Sequence, residues 1–173
     1  VAFLKKTNDL KYNNMENLLL IALAILVVYL AATIIVFGIP CSISNTYYLW
    51  HIFNLRFLFT FVIWAVGVLT VIYWEHKCAG RYEFLPFLSV SGMMFVGAAA
   101  AFKETLTRGT HYTAAAVWAA SAIAFFALIG DWQSIVIGAV AGLAGCAINR
   151  FRNLTFWAEI AVVFTIFTGL LML

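Results

Sequence analysis

Leu18-Leu19-Leu20-Ile21-Ala22-Leu23-Ala24-Ile25-Leu26-Val27-Val28-Tyr29-Leu30-Ala31-Ala32-Thr33-Ile34-Ile35-Val36-Phe37 carries no charged side chain. At the helical rise of 1.5 Å its roughly 20 residues reach about 30 Å, the thickness of a bilayer's hydrocarbon core. Gly38 and Pro40 end the run. A signal peptide would have a shorter apolar region and a small-residue cleavage site, and Gly38-Ile39-Pro40 before Cys41 makes a poor lipoprotein site. The segment therefore reads as a retained transmembrane helix.

Working outward, the same pattern recurs. Apolar blocks cover residues 57–74, 84–102, 112–130, 134–148 and 154–173, which with 18–37 makes six expected spans. The fifth is short, about 22 Å as a straight helix, and is expected to be wrapped by its neighbours. Its Gly138 and Gly142 form a small-xxx-small pair, with Gly145 as a further gap where a backbone can approach. Packing explains that pair most simply. A second copy or another membrane protein meeting the Gly138/Gly142 face is the alternative.

Composition agrees: 65% of the 173 residues are apolar and 10% charged, and mean hydropathy is +1.02. A soluble domain averages about 45–50% and about 25%. The apolar residues fall in blocks rather than in the alternation of an outer-membrane barrel, so the fold class is all-α, an integral membrane bundle. Residues 1–17 read as a polar N-terminal segment and 18–173 as one membrane domain. The net charge of +3 is scattered through loops, which excludes a nucleic-acid track and leaves the lipid bilayer as the surrounding partner.

Alternating spans sort the loops to two faces. Loops one, three and five hold Arg56, Lys103, Arg108, Arg150 and Arg152; the other face holds Lys5, Lys6, Lys11, Lys77 and Arg81. The positive-inside count is tied. If translation starts at Met15, three lysines drop out and the odd loops are expected in the cytoplasm of a bacterial inner membrane.

Glu159 stands five residues into the last span, about 7 Å from its odd-loop end. An ionised carboxylate there costs roughly 2–3 kcal/mol on insertion scales, so it should face the bundle and find a partner. Arg152 and Thr155 extend a polar stripe on the same helix face, while Lys103 and His111 flank loop three at similar depth. The expected cluster is Lys103, Glu104, His111, Arg152 and Glu159, capped by the loop from Ser42 to Tyr48. Its plainest role is structural, fixing helix register. As chemistry, His111 would be the acid or base, Glu159 its orienting group, and Ser44 or Tyr48 a nucleophile or proton donor.

No cofactor or metal is expected. His76 and His111 fall on opposite faces and cannot share a haem, and His51 has no HxxxH or HExxH spacing. Cys41, Cys78 and Cys146 form no CxxC pair, and the spans separate them, so neither a zinc site nor a disulfide is expected. Trp50, Trp74, Trp132 and Trp157 sit near span ends, as interfacial anchors do.

Three segments carry a resemblance: Pro40-Cys41-Ser42-Ile43-Ser44-Asn45-Thr46-Tyr47-Tyr48; Phe87-Leu88-Ser89-Val90-Ser91-Gly92-Met93-Met94-Phe95-Val96-Gly97-Ala98-Ala99; and Phe102-Lys103-Glu104 followed by His111-Tyr112. Together they resemble a group of small multi-pass membrane proteins of Bacteroides-type bacteria and their mobile elements. More distantly, a glycine-rich span followed by a histidine opening the next is similar to the DUF998 and Frag1-like six-helix membrane families. The resemblance implies a six-helix membrane fold and brings no activity. Alkaline-ceramidase-type hydrolases also set Ser, Asp and His in a bundle, but this chain lacks their late HxxxH, and its last two spans contain no histidine. The expected function is a non-enzymatic sensor, assembly or stress-related component, with a lipid-acting enzyme at the odd-loop face, or a small transporter or channel, as alternatives.

Overall fold

The computed structural model describes residues 2–78, 80–100 and 108–173, with side chains from Met15 onward except that of Arg108. Among the described residues there are seven α-helices and no strand. They are α1 (Ala2–Phe37), α2 (Thr46–Leu49), α3 (Phe57–Cys78), α4 (Phe84–Ala99), α5 (Arg108–Leu128), α6 (Trp132–Ile148) and α7 (Leu154–Met172), with a 3₁₀ turn at Trp50–Phe53. Four helical stretches are long and apolar enough to cross a membrane: Met15–Phe37, Phe57–Cys78, Gly109–Leu128 and Leu154–Met172. Helices α4 and α6 are apolar but shorter, at 16 and 17 residues.

Several boundaries differ from expectation. Helix α1 starts at Ala2 and runs unbroken through the polar residues ahead of Leu18 into the apolar run. Helix α3 continues through Glu75-His76-Lys77 to Cys78, one turn beyond Trp74. Trp74 is consequently not an interfacial anchor but is fully buried, its ring 5.2 Å from Phe125 and 5.4 Å from Phe126. Within the first loop the chain forms α2 and the 3₁₀ turn.

The helix ends follow local chemistry. Gly38 takes φ +77° to close α1. Asp131 caps α6, accepting from Ser134 N at 3.2 Å and Ser134 Oγ at 2.5 Å.

Helix α6 packs on α7, α4 on α5, and α3 on both α1 and α4. Glycines set two of these separations. A Cβ at Gly138 would strike Thr165 Oγ1 and come within 2.5 Å of Ala161 O, one at Gly142 would lie 2.8 Å from Ala161 Cβ, and one at Gly145 would enter the Trp157 ring. The Gly138/Gly142 face is therefore filled by the chain's own α7, and all three glycines are buried. In the α4–α5 seam a Cβ at Gly92 would lie 2.7 Å from both Ala114 O and Trp118 N.

The largest buried side chains are Trp74, Phe59, Phe125, Phe126 and Phe156. Outside them a belt of aliphatic and aromatic residues faces outward, including Val28, Ile35, Phe61 and Leu143. Such a surface would be a liability in water, whereas a hydrocarbon environment satisfies it.

Candidate functional site

After α1 the chain turns back over one end of the bundle, and residues 39–46 are fastened there to two helices. On the α7 side, Asn153 Nδ2 donates to Ile39 O at 2.8 Å, Phe156 N to Cys41 O at 3.1 Å, and Ile43 N to Glu159 Oε2 at 2.5 Å. Phe156 lies in the first turn of α7, where backbone N–H groups have no partner within the helix, so the Cys41 carbonyl completes the helix end. On the α1 side, Thr46 Oγ1 donates to Ile43 O at 2.6 Å and lies 2.6 Å from the Tyr29 hydroxyl. The single threonine proton goes to Ile43, so Tyr29 is the donor of that pair. Trp50 Nε1 adds a bond to Thr33 Oγ1 at 3.0 Å.

Beneath this loop lies a cavity of about 340 Å³, walled by residues 41–44, α5 and α7. Its outer end presents Ser42, Ser44, His111, Thr155 and Glu159, with Cys41 and Tyr112 exposed beside them. Its inner end presents Ala115, Trp118, Ala119, Ala158 and Val162. Both walls start at the same end of the bundle, and from His111 to Trp118 the cavity follows α5 for about 10 Å. Polar groups thus give way to apolar ones along its length. Small side chains create the gap: three of the five inner residues are alanines.

Ser44, His111 and Glu159, expected to converge, do line this one cavity, with His111 5% and Glu159 9% exposed. Ser42 Oγ and Ser44 Oγ lie 3.0 Å apart, and Ser42 Oγ also accepts from Asn45 N at 3.1 Å. The rest of the expected cluster divides. Lys103 and Glu104 lie outside the described residues. Arg152 is not part of the cavity: it is exposed in the turn before α7, where its carbonyl accepts from Asn149 Nδ2 at 3.1 Å. Tyr48 is not in the lining either, and its hydroxyl donates to Ala100 O at 2.8 Å, tying α2 to the end of α4.

His51 is exposed on the 3₁₀ turn and His76 near the far end of α3. Among the described residues, no three His, Cys, Asp or Glu side chains are grouped to hold a metal ion. Cys41, Cys78 and Cys146 are free thiols, the first exposed and the others buried.

Sequence reasoning passed over Trp118 as a site residue, leaving it within the apolar block 112–130. The available signal was spacing: His111, Ala115, Trp118 and Ala119 stand at i, i+4, i+7 and i+8, one helix face.

Compared with known protein families, curated proteins and solved structures, the chain matches none.

Proposed function

We propose that this chain is a six-span protein of a bacterial cytoplasmic membrane that holds a small amphipathic molecule in the cavity beneath residues 39–46, serving as a non-enzymatic sensor or assembly component. The observation that carries this reading is the polarity gradient of the cavity, from Ser42, Ser44, His111 and Glu159 to Trp118, Ala119 and Val162. Its volume lies within the usual range of small-molecule sites, about 300–1,000 Å³. One oxygen of Glu159 is already engaged by Ile43 N, which supports a carboxylate that shapes the site over one that performs chemistry. Six spans are supported by the apolar character of α4 and α6: at about 24 and 26 Å they fall only slightly short of the hydrocarbon core, and local thinning accommodates such a shortfall at modest cost. The bacterial assignment rests on the resemblance carried by Pro40 to Tyr48 and Phe87 to Ala99.

A second reading, a lipid-acting enzyme, is favoured by the meeting of Ser44, His111 and Glu159 in one cavity. One experiment addresses both. The full chain is isolated in lipid nanodiscs, and its co-isolated small molecules are identified by mass spectrometry beside an Ala115→Leu/Ala158→Leu variant. The expected result is an amphiphile retained by the wild type, absent from the variant and unchanged on incubation. Conversion of that amphiphile would replace the sensor reading with the enzymatic one, and equal retention by both proteins would remove the cavity from either.

A further inference from the structure

Helices α5 and α7 both start at the end of the bundle roofed by residues 39–46. Far from the roof they touch: Gly169 of α7 lies so close to Phe126 of α5 that a Cβ there would enter the ring. Seven positions nearer the roof on each helix stand Ala119 and Val162, about 10 Å higher, and there the two helices wall the cavity instead. The rest of the packing agrees, since α5 packs mainly on α4 and α7 mainly on α6. The cavity is the open part of a wedge between α5 and α7.

This wedge is covered above and open at the side. In the roof, Ser42, Ile43 and Ser44 are buried, and the loop is bonded to α7 at three points. In the walls, Ala158 is exposed and Ala115, Ala119 and Val162 are half-buried, although all four line the cavity. An alanine side chain is a single methyl group, so one that both lines the cavity and is exposed stands at its opening. Val162 follows the first residue of α7 by eight positions, about 12 Å, which carries the opening to the depth of lipid acyl chains. Charge narrows the occupant. The lining holds the Glu159 carboxylate beside His111 and neither lysine nor arginine, so an anionic head would meet a like charge with no lysine or arginine to offset it. A volume of about 340 Å³ stands near the lower end of small-molecule sites and suits one chain better than two.

Resting on the reading that this cavity binds an amphiphile, we propose that its occupant is a single-chain bilayer lipid with a non-anionic head, which enters sideways between α5 and α7. The head lies under the roof beside Ser42, Ser44 and Thr155. The contact of Phe126 with Gly169 stops the chain from passing deeper between the helices, so its far end turns outward into the bilayer.

The test uses the full chain in nanodiscs, with bound lipids counted by native mass spectrometry after ejection from the disc. A monoacylglycerol carrying pyrene at the end of its chain should bind as tightly as monooleoylglycerol. The bound pyrene should be quenched by brominated lipids as fully as in protein-free discs. Rejection of the pyrene probe while monooleoylglycerol binds, or a bound pyrene shielded from quenching, would show an enclosed chain and overturn the lateral opening. Monoacetin, a water-soluble molecule with the same head, should compete at least about tenfold more weakly; equal competition would assign the site to a solute from water. Oleoyl lysophosphatidic acid, with phosphate in place of one head hydroxyl, should also compete about tenfold more weakly than monooleoylglycerol. Equal competition there would overturn the non-anionic head. Binding of neither monoacylglycerol above that of Ala115→Leu/Ala158→Leu would instead defeat the cavity-binding reading itself, and this proposal with it.

Discussion

Glu159, buried in the second turn of α7, accepts a hydrogen bond from the backbone N–H of Ile43 at 2.5 Å across a separation of 116 positions. A carboxylate at that depth is costly unless it holds something, and what it holds is the main chain of the loop that roofs the cavity. Glu159→Ala leaves the Ile43 N–H without this acceptor and should cost about 1–3 kcal/mol, whereas Glu159→Gln keeps an oxygen in place and should cost less than half as much. Reversible unfolding in mixed micelles measures both. Equal losses would show that charge, and not acceptance from Ile43, is what matters at this position.

The α6–α7 seam should be intolerant of one methyl group. Gly138→Ala drives a Cβ into Thr165 Oγ1 and Ala161 O, both on the facing helix, so the helices must part at a cost of about 1–3 kcal/mol. Gly109, near the start of α5, has open space around it, so Gly109→Ala should be neutral or stabilising by up to about 1 kcal/mol through helix propensity. Thermal unfolding of the two variants side by side checks the contrast, and a Gly138→Ala protein as stable as Gly109→Ala would contradict the packing.

Cys41 is exposed beside the cavity, while Cys78 and Cys146 are buried. A membrane-impermeant maleimide should therefore label Cys41 first, and Cys41→Ala should abolish the fast phase. With the odd loops in the cytoplasm, labelling in cells should require permeabilisation. Fast labelling of intact cells would reverse the orientation.

Filling the inner cavity should leave the fold standing. Ala115 is half-buried and Ala158 exposed, so leucine at both sites adds bulk toward the gap without entering the Trp74, Phe125 and Phe126 core. The variant's unfolding midpoint should stay within a few degrees of the wild type while the co-isolated amphiphile is lost. A large loss of stability would mean the cavity walls are in contact.

The four long apolar helices were legible because apolar runs of the right length have few soluble explanations, and Glu159 was legible as a buried, engaged group because a carboxylate in such a run needs a reason. Its partner was not: every residue carries a backbone N–H, and nothing in the letters distinguishes that of Ile43. Trp74 misled because proximity to a polar stretch looks like an interface, whereas α3 continues one turn further and carries the ring into the core. Arg152 misled for a related reason, since a turn with positive φ at Arg150, Phe151 and Asn153 breaks the helical phase that would have aligned it with Thr155 and Glu159. Trp118 was overlooked because an indole in an apolar helix is ordinary until a cavity is seen beside it.

The ties between residues 39–43 and α7 also order events in time. At about 5–20 residues per second, synthesis needs roughly 6–23 s to pass from Ile43 to Glu159. Throughout that interval the carbonyls of Ile39 and Cys41 and the amide of Ile43 await partners that do not yet exist. The roof of the bundle closes only when the final helix enters, so a nascent chain stalled before α7 displays these open backbone groups at the membrane surface. Helix α7 thus acts as a latch on the first loop, and the state of that loop marks whether assembly has finished.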